Sequence, residues 1–156
     1  IECAMPKNSE LIERIALLEK QIEEVSRLAS ETRQLVGPFA VPFPDGTMLT
    51  QTIHGLKYFI DPTDQIIAPQ MVIYRQWEAD ISQLFRSLCE PESVVLDIGA
   101  NFGYFSVLAA HLIGAKGSGR VISFEPNPKL CTLLRRNCEI NWSIAPVSLH
   151  EIALGD

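Results

Sequence analysis

Val94-Val95-Leu96-Asp97-Ile98-Gly99-Ala100-Asn101-Phe102-Gly103-Tyr104-Phe105 is an apolar run that meets a glycine-bearing turn and then opens a helical pattern. From Val94 to Ile98 only Asp97 is polar, which predicts a strand buried on both faces of a parallel sheet. Gly99 and Gly103 let the backbone come close to a ligand without a Cβ in the way. A second run, Arg120-Val121-Ile122-Ser123-Phe124-Glu125, reads as the next strand and ends in an acid. In an open α/β sheet, ligands bind in the crevice beyond the carboxyl ends of the strands, and an acid there can accept hydrogen bonds from ribose hydroxyls.

The turn discriminates between cofactors. A dinucleotide fingerprint is G-x-G-x-x-G, with the pyrophosphate lying against bare backbone at the helix N-terminus. Here the order is Gly99-Ala100-Asn101-Phe102-Gly103, with Asn101 in the place of the middle glycine. S-adenosylmethionine has no phosphate, and its ammonium group suits the carboxylate of Asp97, directly or through water. The D-x-G-x-x-x-G form, with Glu125 as ribose acceptor, therefore favours a methyl donor.

Asp97-Ile98-Gly99-Ala100-Asn101-Phe102-Gly103-Tyr104-Phe105 followed by Phe124-Glu125-Pro126-Asn127-Pro128 resembles the FkbM family of S-adenosylmethionine-dependent methyltransferases. The likeness extends upstream through Phe59-Ile60-Asp61-Pro62-Thr63-Asp64 and Trp77-Glu78, and downstream to Asn137, Asn141 and Ala153-Leu154-Gly155-Asp156. The resemblance implies a Rossmann-like class I methyltransferase fold and O-methylation of a hydroxyl on a sugar, glycan or natural product. It also implies that Asp156 contacts the adenine amino group. The expected cofactor-binding set is Asp97, Gly99, Ala100, Asn101, Gly103, Tyr104, Glu125, Asn127 and Asp156, and no catalytic residue is identified. Several of these have structural alternatives: Asn101 as a left-handed turn residue, Asn127 as a helix cap, Tyr104 as a core or pocket-wall aromatic. An NAD(P)-dependent Rossmann oxidoreductase and a non-catalytic coiled-coil interaction module are the competing functions.

Three regions divide the chain: 1–37, 38–92 and 93–156. From Ser9 to Val36, apolar residues recur at Leu11, Ile15, Leu18, Ile22, Val25 and Ala29 in alternating steps of four and three. With Ile15, Ile22, Ala29 and Val36 at a, and Leu11, Leu18, Val25 and Thr32 at d, the first half carries isoleucine over leucine, the choice of parallel dimers. Either a homodimer through residues 9–36 or one amphipathic helix packed on its own domain satisfies this pattern, and Gly37-Pro38 ends it. Residues 38–69 are turn-rich and predict an antiparallel hairpin or two. Val72 to Cys89 has helical spacing, is expected to pack on the sheet face, and stops before Pro91.

The third region reads β-α-β-α-β. Its first helix, from about Phe102 to Leu112, is expected to turn Phe105, Leu108, Ala109 and Leu112 to the sheet, and its second, capped by Asn127 with Pro128 at the first helical position, buries Leu130, Leu133 and Leu134. Right-handed crossovers predict the strand order 3-2-1, with an apolar, unpaired edge on the first strand. The chain begins at Ile1 and stops at Asp156 after a third strand, Val147 to Leu154, so it is expected to be a truncated piece of a longer protein, without its acceptor site and inactive alone.

Composition narrows the partners. The 156 residues are 47% hydrophobic and 21% charged with formal net charge −6, and the basic residues are scattered. Nucleic acid, which needs a concentrated positive face, is therefore not expected. No run approaches the roughly 20 apolar residues of a membrane span, and a cytoplasmic protein is expected. Cys3, Cys89, Cys131 and Cys138 include no C-x-x-C pair, so neither a metal site nor a disulfide is expected. His54, His111 and His150 are read as structural.

Overall fold

The computed structural model describes residues 8–35 and 37–155 and divides the chain into two compact units, Ile1–Gly37 and Pro38–Asp156. The first unit holds one helix, α1 (Asn8–Leu35), and the apolar residues along it are exposed, among them Leu11, Ile15, Leu18, Ile22 and Val25. The d-position Thr32 donates its hydroxyl to Leu28 O at 2.8 Å. The a-position Val36 lies outside the described residues, as do Cys3 and Asp156.

The second unit begins with an antiparallel meander, β1 (Val41–Pro42), β2 (Met48–Gln51) and β3 (Lys57–Ile60), in the order β1-β2-β3. The hairpins expected from the turn residues are present, with Gly46 and Gly55 at positive φ in the two connections. Two helices follow, α2 (Ile67–Ile73) and α3 (Ala79–Leu88), where the spacing predicts one helix from Val72. The break is at Arg75 and Glu78, with φ of 57° and 41°. Arg75 is held there by tertiary contact: its guanidinium donates to the carbonyls of Gln51 and Thr52 at 2.8 and 3.3 Å, which a continuous helix would forfeit. Nor does α3 lie on the sheet as expected. It packs on the helix that follows the first core strand, with the rings of Phe85 and Phe105 4.9 Å apart.

The parallel sheet contains β4 (Val94–Ile98), β5 (Arg120–Phe124) and β6 (Val147–His150), linked by α4 (Tyr104–Ile113) and α5 (Pro128–Ile140). Both ladders are parallel and the order is β4-β5-β6, the 3-2-1 arrangement that right-handed crossovers demand. The third strand is shorter than expected, ending at His150 rather than Leu154. Among the described residues β4 pairs only with β5, so its outer edge is free, as expected.

Burial on both faces of β4 is not found. Val95 and Asp97 face α4, whereas Val94, Leu96 and Ile98 are 53, 60 and 64% exposed on the other face. Successive side chains alternate faces, and two same-handed crossovers running in one direction set both helices on one side. That side is deep. Helices α4 and α5 lie between the parallel sheet and the meander, so α4 is buried almost all round: Ala109, Ala110 and Ile113 meet Val121, while Tyr104, Val107 and Leu108 meet the meander. The sheet-facing stripe is therefore shifted from the one expected, and Phe105 and Leu112 remain partly exposed.

Asn137 and Asn141 clamp the meander to α5. The buried Asn137 side chain accepts from Phe59 N at 2.6 Å and donates to Phe59 O and Phe102 O at 3.1 and 2.8 Å. Asn141, which caps the C-terminus of α5, accepts from Lys57 N and donates to Lys57 O. Arg136 adds its guanidinium, 3.6 Å from the centre of the Phe59 ring, and an ion pair to Asp45 at 2.6 Å. The lead-in segment 38–92 thus shares its core with residues 93–156.

Candidate cofactor site

The register pairs Asp97 with Ser123 and Ile98 with Phe124, so Asp97 and Glu125 stand near the carboxyl ends of adjacent strands. They are close enough that the charge of Glu125 helps raise the Asp97 pKa. Burial is the larger cause of that rise; hydrogen bonds from Ser106 oppose it. The Ser106 hydroxyl donates to Asp97 Oδ2 at 2.5 Å and shares a 2.7 Å hydrogen bond with Ser123 Oγ.

Both serines are fully buried, and sequence reading missed them. The available signal was compositional: each is a lone small polar residue on the buried side of an otherwise apolar element, where it needs a polar partner.

The turn after β4 is built from left-handed residues, with φ of 79° at Gly99, 53° at Asn101 and 88° at Gly103. Its amides are consumed inside the protein. Gly99 N and Ala100 N donate to Phe124 O at 2.9 and 3.0 Å, Asn101 N to Glu125 Oε2 at 2.8 Å, Phe102 N to Asn101 Oδ1 at 2.7 Å and Gly103 N to Ala100 O at 2.8 Å. Glu125 is 6% exposed, and its other oxygen accepts from Asn127 N at 2.9 Å. One carboxylate therefore ties the first turn to the second, using one of the roughly two acceptor positions on each oxygen.

The two turn glycines do different work. A Cβ built on Gly99 would meet no atom within 4 Å, so the space beside it is open to a ligand. A Cβ on Gly103 would sit 2.7 Å from Leu134 Cγ, so this glycine lets the turn approach α5. Ala100 is 5% exposed, and its amide is bound to the last residue of β5.

Tyr104, expected among the cofactor-binding residues, is placed in the core instead. It is 4% exposed, its ring lies 5.5 Å from that of Tyr58, and its hydroxyl shares a 2.9 Å hydrogen bond with Ser82 Oγ. The first helical residue after the turn points inward because the meander covers that side of α4. Asn101 and Asn127 both make structural bonds: Asn101 accepts from Phe102 N within its own turn, and Asn127 caps α5 by accepting from Lys129 N at 3.0 Å, with Pro128 next. The adenine contact expected of Asp156 lies outside the described residues.

Cys131 donates its thiol to Glu125 O at 3.0 Å, and burial pushes its pKa up. Cys89, Cys131 and Cys138 are free thiols. His54 lies in the turn between β2 and β3, His111 near the end of α4, and His150 in β6 stacks on Phe124.

Two comparisons with known proteins bear on this geometry. The methyltransferase FkbM domain model matches residues 97–156. Two solved Pyrococcus horikoshii structures have the same fold at a TM-score of 0.53: PH0793, described as a transferase, at 21% identity, and TYW2 in complex with MeSAdo at 20%. Each is matched over 70% of this chain, and this chain spans 37% of the length of each. No curated protein matches the sequence. Residues 97–156, which hold the left-handed turn after Asp97, the acid closing β5 and the parallel pairing of β5 with β6, are thus similar to the methyltransferase FkbM domain, the family that the sequence resembles.

Proposed function

We propose that this chain binds S-adenosylmethionine at the turn between β4 and α4, and that the protein to which it belongs transfers the methyl group to a hydroxyl of a sugar, glycan or natural product. The observation that carries the reading is the complete internal satisfaction of the Gly99 to Gly103 amides. A pyrophosphate draws on turn amides as well as those of the helix that follows, and the five turn amides are already bonded, which leaves only the first turn of α4 to meet it and disfavours a nicotinamide dinucleotide. A ligand with cationic groups, hydroxyls and no phosphate suits what remains: the Asp97 carboxylate, the spare acceptor capacity of Glu125, and the open space beside Gly99.

Within this reading Asp97 receives the ammonium group, held in place by Ser106, and Glu125 receives ribose hydroxyls while fixing both turns. Gly99 gives the ligand access to the backbone. Asp156 remains the proposed contact to the adenine amino group. The sulfonium supplies an electrophilic methyl group, so the protein's task is to hold the acceptor oxygen in line at near-attack distance while a base takes its proton. No side chain described here is assigned that base.

A net charge of −6 supports a small-molecule or glycan acceptor over nucleic acid. No described helix is long and apolar enough to cross a membrane. The free thiols support a reducing compartment, and we place the protein in the cytoplasm.

Calorimetric titration of the chain with S-adenosylmethionine and with NADH tests the cofactor. Binding of the first alone is expected, and Asp97→Asn, which keeps shape and removes charge, should weaken it about tenfold or more, the worth of a hydrogen bond to a charged group. Preference for NADH, binding of neither, or an affinity indifferent to Asp97→Asn would overturn the reading. Retention of transfer RNA on a filter at physiological salt would overturn the acceptor class.

A further inference from the structure

Within its own unit helix α1 presents a continuous apolar stripe: Leu11, Ile15, Leu18, Ile22 and Val25 are between 48 and 65% exposed. At 1.5 Å per residue, the stripe from Leu11 to Val25 is about 21 Å long. Four kinds of surface could cover it: the second unit of the same chain, a lipid headgroup layer, an unlike helix, or a second copy. Between Asn8 and Leu35 the helix carries six glutamates against four lysines and arginines, a poor match for an anionic membrane surface. Glu13, Lys20 and Arg27 share the f position, opposite the seam, and Arg27 pairs with Glu24 at 3.2 Å. That is the solvent face of a coiled coil rather than of a helix with a basic headgroup-binding side.

We propose that α1 joins two copies of this chain as a parallel two-stranded coiled coil, in the register that sets Arg14 of each copy against Glu19 of the other. With isoleucine at a and leucine at d over the first two heptads, the stripe has the choice that favours two parallel strands. The same heptad assignment puts Arg14 at g and Glu19 at the following e, the two positions that meet across a parallel dimer. By symmetry the pair forms twice. In the antiparallel alternative, with the seams aligned end to end, Glu19 meets Ser26 and Arg14 meets an uncharged residue, so the complementarity disappears. The charge pair is self-complementary and favours the parallel direction for two copies, independently of any cofactor.

Sedimentation equilibrium on the full 156-residue chain in reductant tests this. The expected mass is twice the 17.4 kDa of one chain, and Ile22→Asp should return it to one chain with the second unit still folded by near-ultraviolet circular dichroism. Arg14→Glu and Glu19→Arg should each weaken the dimer about tenfold, since each turns two exposed attractive pairs repulsive. An equimolar mixture of those two variants should associate about tenfold more tightly than either alone, because a mixed dimer restores both pairs. This holds even if each substitution lowers helicity by itself. A single-chain mass at every concentration, a double mass indifferent to Ile22→Asp, or a mixture no tighter than its components would each overturn the proposal.

Discussion

Asp97 is caught between two demands. Burial and the neighbouring Glu125 raise its pKa above the ordinary carboxylate value of 3.8, so keeping it ionised works against folding, while the proposed ligand needs the charge. A raised folded pKa contributes stability that is fully present below the unfolded value and is lost as pH rises through the folded one. Asp97→Asn, which retains an acceptor for Ser106, should therefore be the more stable protein at neutral pH even as it binds S-adenosylmethionine less well. Thermal melts across pH should show the variant's advantage growing from acid toward neutrality; no such trend would mean that burial does not govern this carboxylate. Asp97, Gly99 and Glu125 were legible in the sequence because a carboxylate or a glycine at a strand tip is informative alone. Ser106 and Ser123 were not, because a serine in an apolar helix acquires its meaning only from the atom it faces.

At the scale of elements, the asparagine clamp carries the join between meander and α5. Replacing Asn137 with leucine leaves Phe59 N, Phe59 O and Phe102 O without their partner, and should cost about 3 kcal/mol or more in chemical denaturation. A smaller loss than about 1 kcal/mol would indicate that water replaces the side chain. The exposed edge of β4 leads to a second expectation. Because this strand bonds to β5 alone, alternate amides from Val94 to Ile98 should exchange with solvent rapidly in the isolated chain while those facing β5 stay protected. Uniform protection along the strand would show that something pairs with the edge. Periodicity located both β4 and α4, but the break between α2 and α3 escaped it. Arg75 carries no local breaker signal, and its left-handed backbone is imposed by carbonyls 23 and 24 residues away.

Across the whole second unit, surface charge pairs tie distant segments together, and one of them sets a pH response. Asp61 is brought down to about 2, chiefly by the hydrogen bond from Lys129 and then by Thr63. A depressed folded pKa contributes stability that is present above the ordinary value of 3.8 and is lost as pH falls toward 2. The stability difference between the natural chain and Asp61→Asn should accordingly be constant from neutrality to about pH 4 and close by about pH 2. A gap that persists at the acid end would assign the effect to packing rather than charge.

The chain by itself determined its strand order, its crossover direction, the turn chemistry after β4 and the family it resembles. These follow from local patterns: apolar runs of strand length, glycine spacing, a capped helix start, and the handedness that L-residues impose on parallel connections. Which faces are buried was decided only in three dimensions. The meander settles over α4 and α5, draws Tyr104 into the core and assigns Gly103 to packing, while two crossovers on one side leave Leu96 and Ile98 bare. Burial is a property of what lies across from a residue, and residues far apart in the chain meet only after folding.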